Sequence, residues 1–173
     1  MTSKGYIHLY TGNGKGKTTA AFGLALRAVG AGKKVFIAQF VKGKPYSEME
    51  AVARFLPAIT VQQYGLDCFI EKQPTQVDID AARHGLQQVT AMIASQTYDV
   101  VVLDEICIAL YYRLFDIKEV LSLLSHKPWE TEIVLTGRYA PAELIACADL
   151  VTEMNEVKHY YTKGVEARRG IEF

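Results

Sequence analysis

Tyr10-Thr11-Gly12-Asn13-Gly14-Lys15-Gly16-Lys17-Thr18-Thr19 is the stretch whose reading decides the fold. Before it, Tyr6 to Thr11 reads as a strand; after it, a helix starts near Lys17 and stops near Gly30 and Gly32. Glycines at a strand-to-helix junction free successive backbone N–H groups to converge on a phosphate. Gly12, Asn13, Gly14, Lys15, Gly16, Lys17, Thr18 and Thr19 are therefore the candidate nucleotide-binding residues. Lys17 adds a mobile cation for the terminal phosphates, and the Thr18 hydroxyl sits where it reaches a magnesium ion at the helix N-terminus. This is a Walker A arrangement with one departure: Thr11 stands at the first glycine position, and the nearest glycine comes one residue late.

Outward from this loop, apolar runs alternate with segments of helical period, the pattern of repeated strand–helix units around a mostly parallel sheet. KVFIAQF (34–40) and Ile59 to Tyr64 are the next strands, and Gly65 to Gln73 has no clear period and reads as a loop. Thr75 with Asp78 three residues on makes a capping box for a long helix whose Ala82, Leu86, Val89 and Ile93 share one face. Val100 to Leu103 and Ile133 to Leu135 are unbroken apolar runs suited to central parallel strands. Asp116 and Glu119 frame a further capped helix, Pro141 suits a helix start before Leu144 and Ile145, and Leu150 to Met154 adds a last strand. The expected fold is a single nucleotide-binding α/β domain over residues 1–173, with a mostly parallel sheet and helices on both faces. The tail ARRGIEF (167–173) fits no element.

Two further segments carry chemistry to the carboxyl edge of this sheet, where open α/β folds bind ligands. VVVLDE (100–105) resembles a Walker B segment, delivering Asp104 and Glu105 as hard oxygen ligands for a metal; Asp at such a site also caps a following helix. Thr136-Gly137-Arg138 leaves the second apolar strand, so the Arg138 guanidinium is placed to meet a phosphate oxygen in bidentate fashion. Arg27 belongs to a solvated helix face. GLDCFI (65–70) offers Phe69 and Ile70 to a flat organic ligand or to the core. None of the four histidines pairs at i,i+4 or flanks a nucleophile, which removes a metal hydrolase or a catalytic triad from consideration.

Composition excludes other classes. Lys plus Arg and Asp plus Glu are 19 each, so nothing in the overall charge favours nucleic acid or an anionic membrane surface. Three widely spaced cysteines, Cys68, Cys107 and Cys147, form no Cys-x-x-Cys pair and suit a reducing cytosol; Cys107 reads as a small buried residue. The N-terminus has no apolar signal region, and no segment runs about eighteen apolar residues without a charge, so a cytoplasmic protein is expected.

In order and spacing, TGNGKGKTTAAFGLALRAVG (11–30), VVVLDE, LTGR (135–138), ADLVTEM (148–154) and KHYYTKGVEARRGIEF (158–173) resemble the ATP:corrinoid adenosyltransferase family, whose fold is like that of P-loop NTPases. The resemblance implies transfer of the 5′-deoxyadenosyl group of ATP to the cobalt of a reduced corrinoid, cob(I)alamin or a cobinamide-type acceptor, with release of triphosphate. It implies ATP bound in reversed direction, catalytic roles for Lys17, Glu105 and Arg138, Lys15 on the departing polyphosphate, and Mg2+ or Mn2+ on Thr18 and the Asp104–Glu105 pair. It also implies a homodimer and a flavodoxin-type reductant acting on a corrinoid that has lost its lower axial ligand. Relatives carry Gly-Phe-Thr-Trp where this chain reads Asp67-Cys68-Phe69-Ile70, which makes Phe69 the substitute beneath the ring. They also carry a longer N-terminal arm over the corrinoid, which leaves that cover here to loops or a second subunit. A P-loop small-molecule kinase and a nucleotide-dependent switch ATPase share the glycine loop. The first would release ADP and needs an arginine-rich lid, for which only Arg168 and Arg169 present themselves; the second needs loops ordered by the γ-phosphate.

Overall fold

The computed structural model describes residues 3–44, 46–66 and 73–173. Six strands form one sheet: β1 (Ile7–Thr11), β2 (Val35–Phe40), β3 (Ile59–Tyr64), β4 (Val100–Asp104), β5 (Glu132–Thr136) and β6 (Leu150–Glu153). They lie in the order β3-β2-β4-β5-β1-β6, and every neighbouring pair is parallel. Parallel neighbours require crossovers, and these are supplied by α1 (Lys17–Gly30), α2 (Ser47–Phe55), α3 (Gln76–Ala94), α4 (Ile106–Tyr111), α5 (Ile117–Ser125) and α6 (Ala142–Cys147).

The alternation of side chains along each strand divides the core in two. Leu9, Phe36, Ala38, Phe40, Val101, Leu103, Ile133 and Leu135 face α3 through α6, packing on Ala82, Leu86, Val89, Ile106, Val120, Leu123 and Leu144. Val35, Ile37, Val100, Val102 and Val134 face the other way, onto Ala21, Ala25 and Ala28 of α1 and Val52 of α2. The small alanine stripe lets α1 lie close against the sheet, which holds its N-terminus at the carboxyl end of β1. β4 is buried at all five positions, as a central parallel strand must be.

The capping boxes expected at Thr75/Asp78 and Asp116/Glu119 are both formed. The helix α2 was not anticipated: its SEMEAVARF has a single buried residue, Val52, and too short an apolar stripe to announce itself. The C-terminal segment, left unplaced by sequence, makes a 3-10 turn at Tyr160–Lys163 and then returns to the carboxyl edge of the sheet beside the glycine loop. No helix among the described residues is long and apolar enough to cross a membrane.

Candidate active site

β1 ends at Thr11, and the loop that follows turns under the backbone of Met154, just past β6. Gly14 N–H donates to the Met154 carbonyl at 2.7 Å. At Gly12, whose φ is +94°, a Cβ atom would lie 2.4 Å from that same carbonyl oxygen, so both the backbone region and the close approach require glycine. The displaced first glycine of the motif is thus accommodated: Thr11 stays in the strand, paired with Glu153, and the turn begins one residue later.

Lys17 opens α1 and is 6 % exposed. Its ammonium donates to the carbonyls of Gly12 at 2.8 Å and Gly14 at 2.6 Å, tying the loop to itself. Burial lowers its pKa, against the opposing charge of Glu105. Lys15 is held by the C-terminal segment instead. Its ammonium donates to Glu172 Oε1 at 2.7 Å, the Ile171 carbonyl at 3.0 Å and the Tyr160 hydroxyl at 3.1 Å. Tyr160 also bonds Glu172, and Arg168 pairs with it at 3.4 Å. The bonds from Lys15 and Tyr160 hold the Glu172 carboxyl well below the usual range.

The two acids of VVVLDE separate in role. Asp104 is fully buried, and each carboxylate oxygen has two donors. Oδ1 accepts from the hydroxyls of Thr136 at 2.7 Å and Thr18 at 2.9 Å. Oδ2 accepts from Lys42 Nζ at 2.8 Å and Gln39 Nε2 at 3.1 Å. Burial alone would raise this carboxyl, but the Lys42 charge and the hydrogen bonds hold it below the usual range. Glu105 has a left-handed backbone, φ 60°, and its N–H donates to Thr136 Oγ1 at 2.9 Å. Such a conformation in a non-glycine residue costs on the order of 1 kcal/mol or more and clusters at functional sites. Burial and the neighbouring Asp104 charge push the Glu105 carboxyl up.

A cavity of about 540 Å³ opens here, lined by residues 14–19 of the glycine loop and α1, Lys42, Tyr46, Glu105, Arg138 and the end of the chain at Ile171 to Phe173. Of the expected site residues, Gly14, Lys15, Gly16, Lys17, Thr18, Thr19, Glu105 and Arg138 border it, while Gly12 and Asn13 are not in its lining. Arg138 is exposed and has no hydrogen-bond partner among the described residues. Asp104 lies behind this wall, and Phe69 falls in 67–72, outside the described residues. Sequence reasoning missed Gln39, Lys42, Tyr160 and Glu172. A signal existed for the first two: Gln39 is the polar residue inside KVFIAQF, and Lys42 follows at the same sheet edge.

The donor set suits a divalent cation of the P-loop kind. The Thr18 hydroxyl and Glu105 carboxylate are hard oxygens, and no cluster of three or more His, Cys, Asp or Glu that could hold a metal occurs among the described residues. A magnesium ion there would take its other ligands from phosphates and water, its usual habit. Cys107 borders the same region but is fully buried, and burial with the Glu105 charge pushes its thiol up to about 12. In the native protein Cys107 will therefore escape alkylation by iodoacetamide at pH 8 and react fully once denaturant is added. Modification of Cys107 in the native state, read by peptide mass, would contradict that placement.

The fold and the glycine loop define a P-loop nucleotide-binding domain, and the comparisons agree. A KaiC-like protein of Pyrococcus horikoshii OT3 superposes with a TM-score of 0.59 over 90 % of this chain and 75 % of its own, at 18 % identity, a likeness of fold. The family model for ATP:corrinoid adenosyltransferase BtuR/CobO/CobP matches residues 3–173. The corrinoid adenosyltransferase of Escherichia coli (strain K12) is 37 % identical over 171 residues, 98 % of this chain and 86 % of that protein. That of Salmonella typhimurium is 38 % identical over the same shares. The chain belongs to the ATP:corrinoid adenosyltransferase family.

Proposed function

We propose that this protein transfers the 5′-deoxyadenosyl group of ATP to the cobalt of a reduced corrinoid and releases triphosphate. The observation that carries the reading is the family match across residues 3–173, on a chain whose Lys17, Glu105 and Arg138 all border one pocket. Cobalt(I) is the nucleophile. Its electron pair forms the bond to the 5′ carbon, the carbon–oxygen bond breaks, and that pair leaves with the triphosphate, so cobalt is formally oxidised by two electrons.

Because the corrinoid brings the nucleophile, the protein supplies neither a general base nor a covalent side chain. Its tasks are to hold the 5′ carbon against cobalt and to stabilise charge as it builds on the leaving oxygen. In this reading Lys17 exchanges its two loop carbonyls for phosphate oxygens, and Arg138 comes to the polyphosphate from the β5 side. All three donors of the Lys15 ammonium are engaged by Tyr160, Ile171 and Glu172, so in this reading Lys15 meets the same anion by exchanging at least one of these bonds when ATP enters. Thr18 and Glu105 would hold Mg2+ or Mn2+, which would offset triphosphate charge. Phe69 is the side chain assigned to the lower face of the corrinoid, and the reading extends to a homodimer served in the cytoplasm by a flavodoxin-type reductant.

The test is incubation with ATP, magnesium and chemically reduced cobalamin. A light-sensitive adenosylated corrinoid should appear together with free triphosphate. Formation of ADP with no cobalt–carbon bond would move the protein to a kinase or a switch ATPase.

A further inference from the structure

Lys42 leaves β2 through an abrupt turn. Val41 has a φ of 55°, an outlier for a β-branched residue, and its N–H is held by the Tyr64 carbonyl at 3.3 Å. On the other side Gly65 packs so closely that a Cβ there would lie 2.4 Å from the Lys42 amide nitrogen. The backbone is therefore clamped, and the side chain, 14 % exposed, runs to Asp104. An ammonium has three donors. One goes to Asp104 Oδ2 at 2.8 Å and one to Thr18 Oγ1 at 3.2 Å. The third has no acceptor among the described residues, and Lys42 lines the cavity beside Lys17, Thr18, Glu105 and Arg138. The Tyr46 ring, 5.3 Å from the ammonium, covers another side of it.

Asp104 has meanwhile used its acceptor capacity. A carboxylate offers about four lone-pair sites, and Thr136, Thr18, Gln39 and Lys42 fill them. Direct ligation of a metal would require one of these bonds to break. Gln39 and Thr136 are completely buried and have no route away.

We propose that Lys42 is a polyphosphate-binding residue of this pocket and that Asp104 is its positioning residue, which leaves Glu105 as the carboxylate that serves the metal. The pair divides the labour of the two acids: one fixes a protein cation, the other a mobile one. The ammonium is held in place by its ion pair with Asp104 Oδ2 at 2.8 Å. This deepens the adenosyltransferase reading, but it concerns anion binding alone and is measured without a corrinoid.

The probe is inorganic tripolyphosphate, titrated calorimetrically in EDTA and again with saturating Mn2+. Lys42→Met should bind it at least about 10-fold more weakly than the parent protein in EDTA, the order expected for one lost charge-assisted contact. Lys42→Arg should stay within about 3-fold, since a guanidinium still supplies charge and donors. Lys42→Met can leave the buried Asp104 charge uncompensated and fail to fold, so the double variant Lys42→Met/Asp104→Asn is the second arm. It should fold, lose the same 10-fold, and keep the parent's ratio of affinities with and without Mn2+. Parent-like tripolyphosphate affinity in the double variant would overturn the role of Lys42. Collapse of the Mn2+ ratio in the same variant would overturn the exclusion of Asp104 from the metal. Normal adenosyl transfer with either result would leave the wider reading standing; predicted binding without adenosyl transfer would leave this one standing.

Discussion

Lys17→Ala will abolish most ATP use while the chain remains folded. The side chain opens a helix, where alanine is the better former, and its removal costs the fold only two hydrogen bonds to loop carbonyls. That loss is worth roughly 1–3 kcal/mol, small against the stability of a domain this size. For the reaction the loss is larger. A cation aimed at charge developing on a polyphosphate is worth on the order of 10²-fold or more in rate when it acts in a partly water-excluded site. The expected result is a fall of about that size in kcat/KM for ATP, with a circular-dichroism spectrum like that of the parent. Unchanged turnover would remove the glycine loop from the mechanism.

Asp104→Ala will produce the largest loss of stability among the site residues. The substitution leaves Lys42 without its counter-ion and strips a partner from the buried Gln39 and Thr136. Removing one member of a buried ion pair typically costs 3–5 kcal/mol, and Lys42 can relieve part of this by turning into the cavity. At roughly 2–4 °C per kcal/mol for a domain of this length, the midpoint of thermal unfolding should drop by about 10 °C. A change of only one or two degrees would mean that the network around Asp104 contributes little to the fold.

What the sequence made legible and what it hid follow from the range of the interactions. The glycine loop, the apolar runs of β4 and β5, and the two capping boxes are local patterns, and each appears where its residues placed it. Alternation of strand and helix sufficed to expect a mostly parallel sheet, although the crossover α2 between β2 and β3 carries too short an apolar stripe to be read. The partner of Asp104 is different. Lys42 lies 62 positions away, and only the pairing of β2 with β4 brings it close. The C-terminal segment is a stronger case: Glu172 meets Lys15 across 157 positions, and the tail that carries it lies in no strand or helix whose period would announce it. The motif told that Lys15 is a cation near phosphate; it had no means of telling that a carboxylate from the far end of the chain already holds it. Phe69, the residue assigned to the corrinoid, lies outside the described residues.

The central claim is that the glycine loop serves a reaction in which the bond broken lies at the 5′ carbon and every phosphoanhydride bond survives. It is tested most directly with β,γ-methylene-ATP, whose terminal bridge resists phosphoryl transfer, in the presence of magnesium and chemically reduced cobalamin. The predicted result is an adenosylated corrinoid in a yield close to that from ATP, with the intact methylene-bridged triphosphate released in equal amount. Failure of the analogue under conditions where ATP is consumed to ADP would show that the loop works on the γ-phosphate, and would contradict the account.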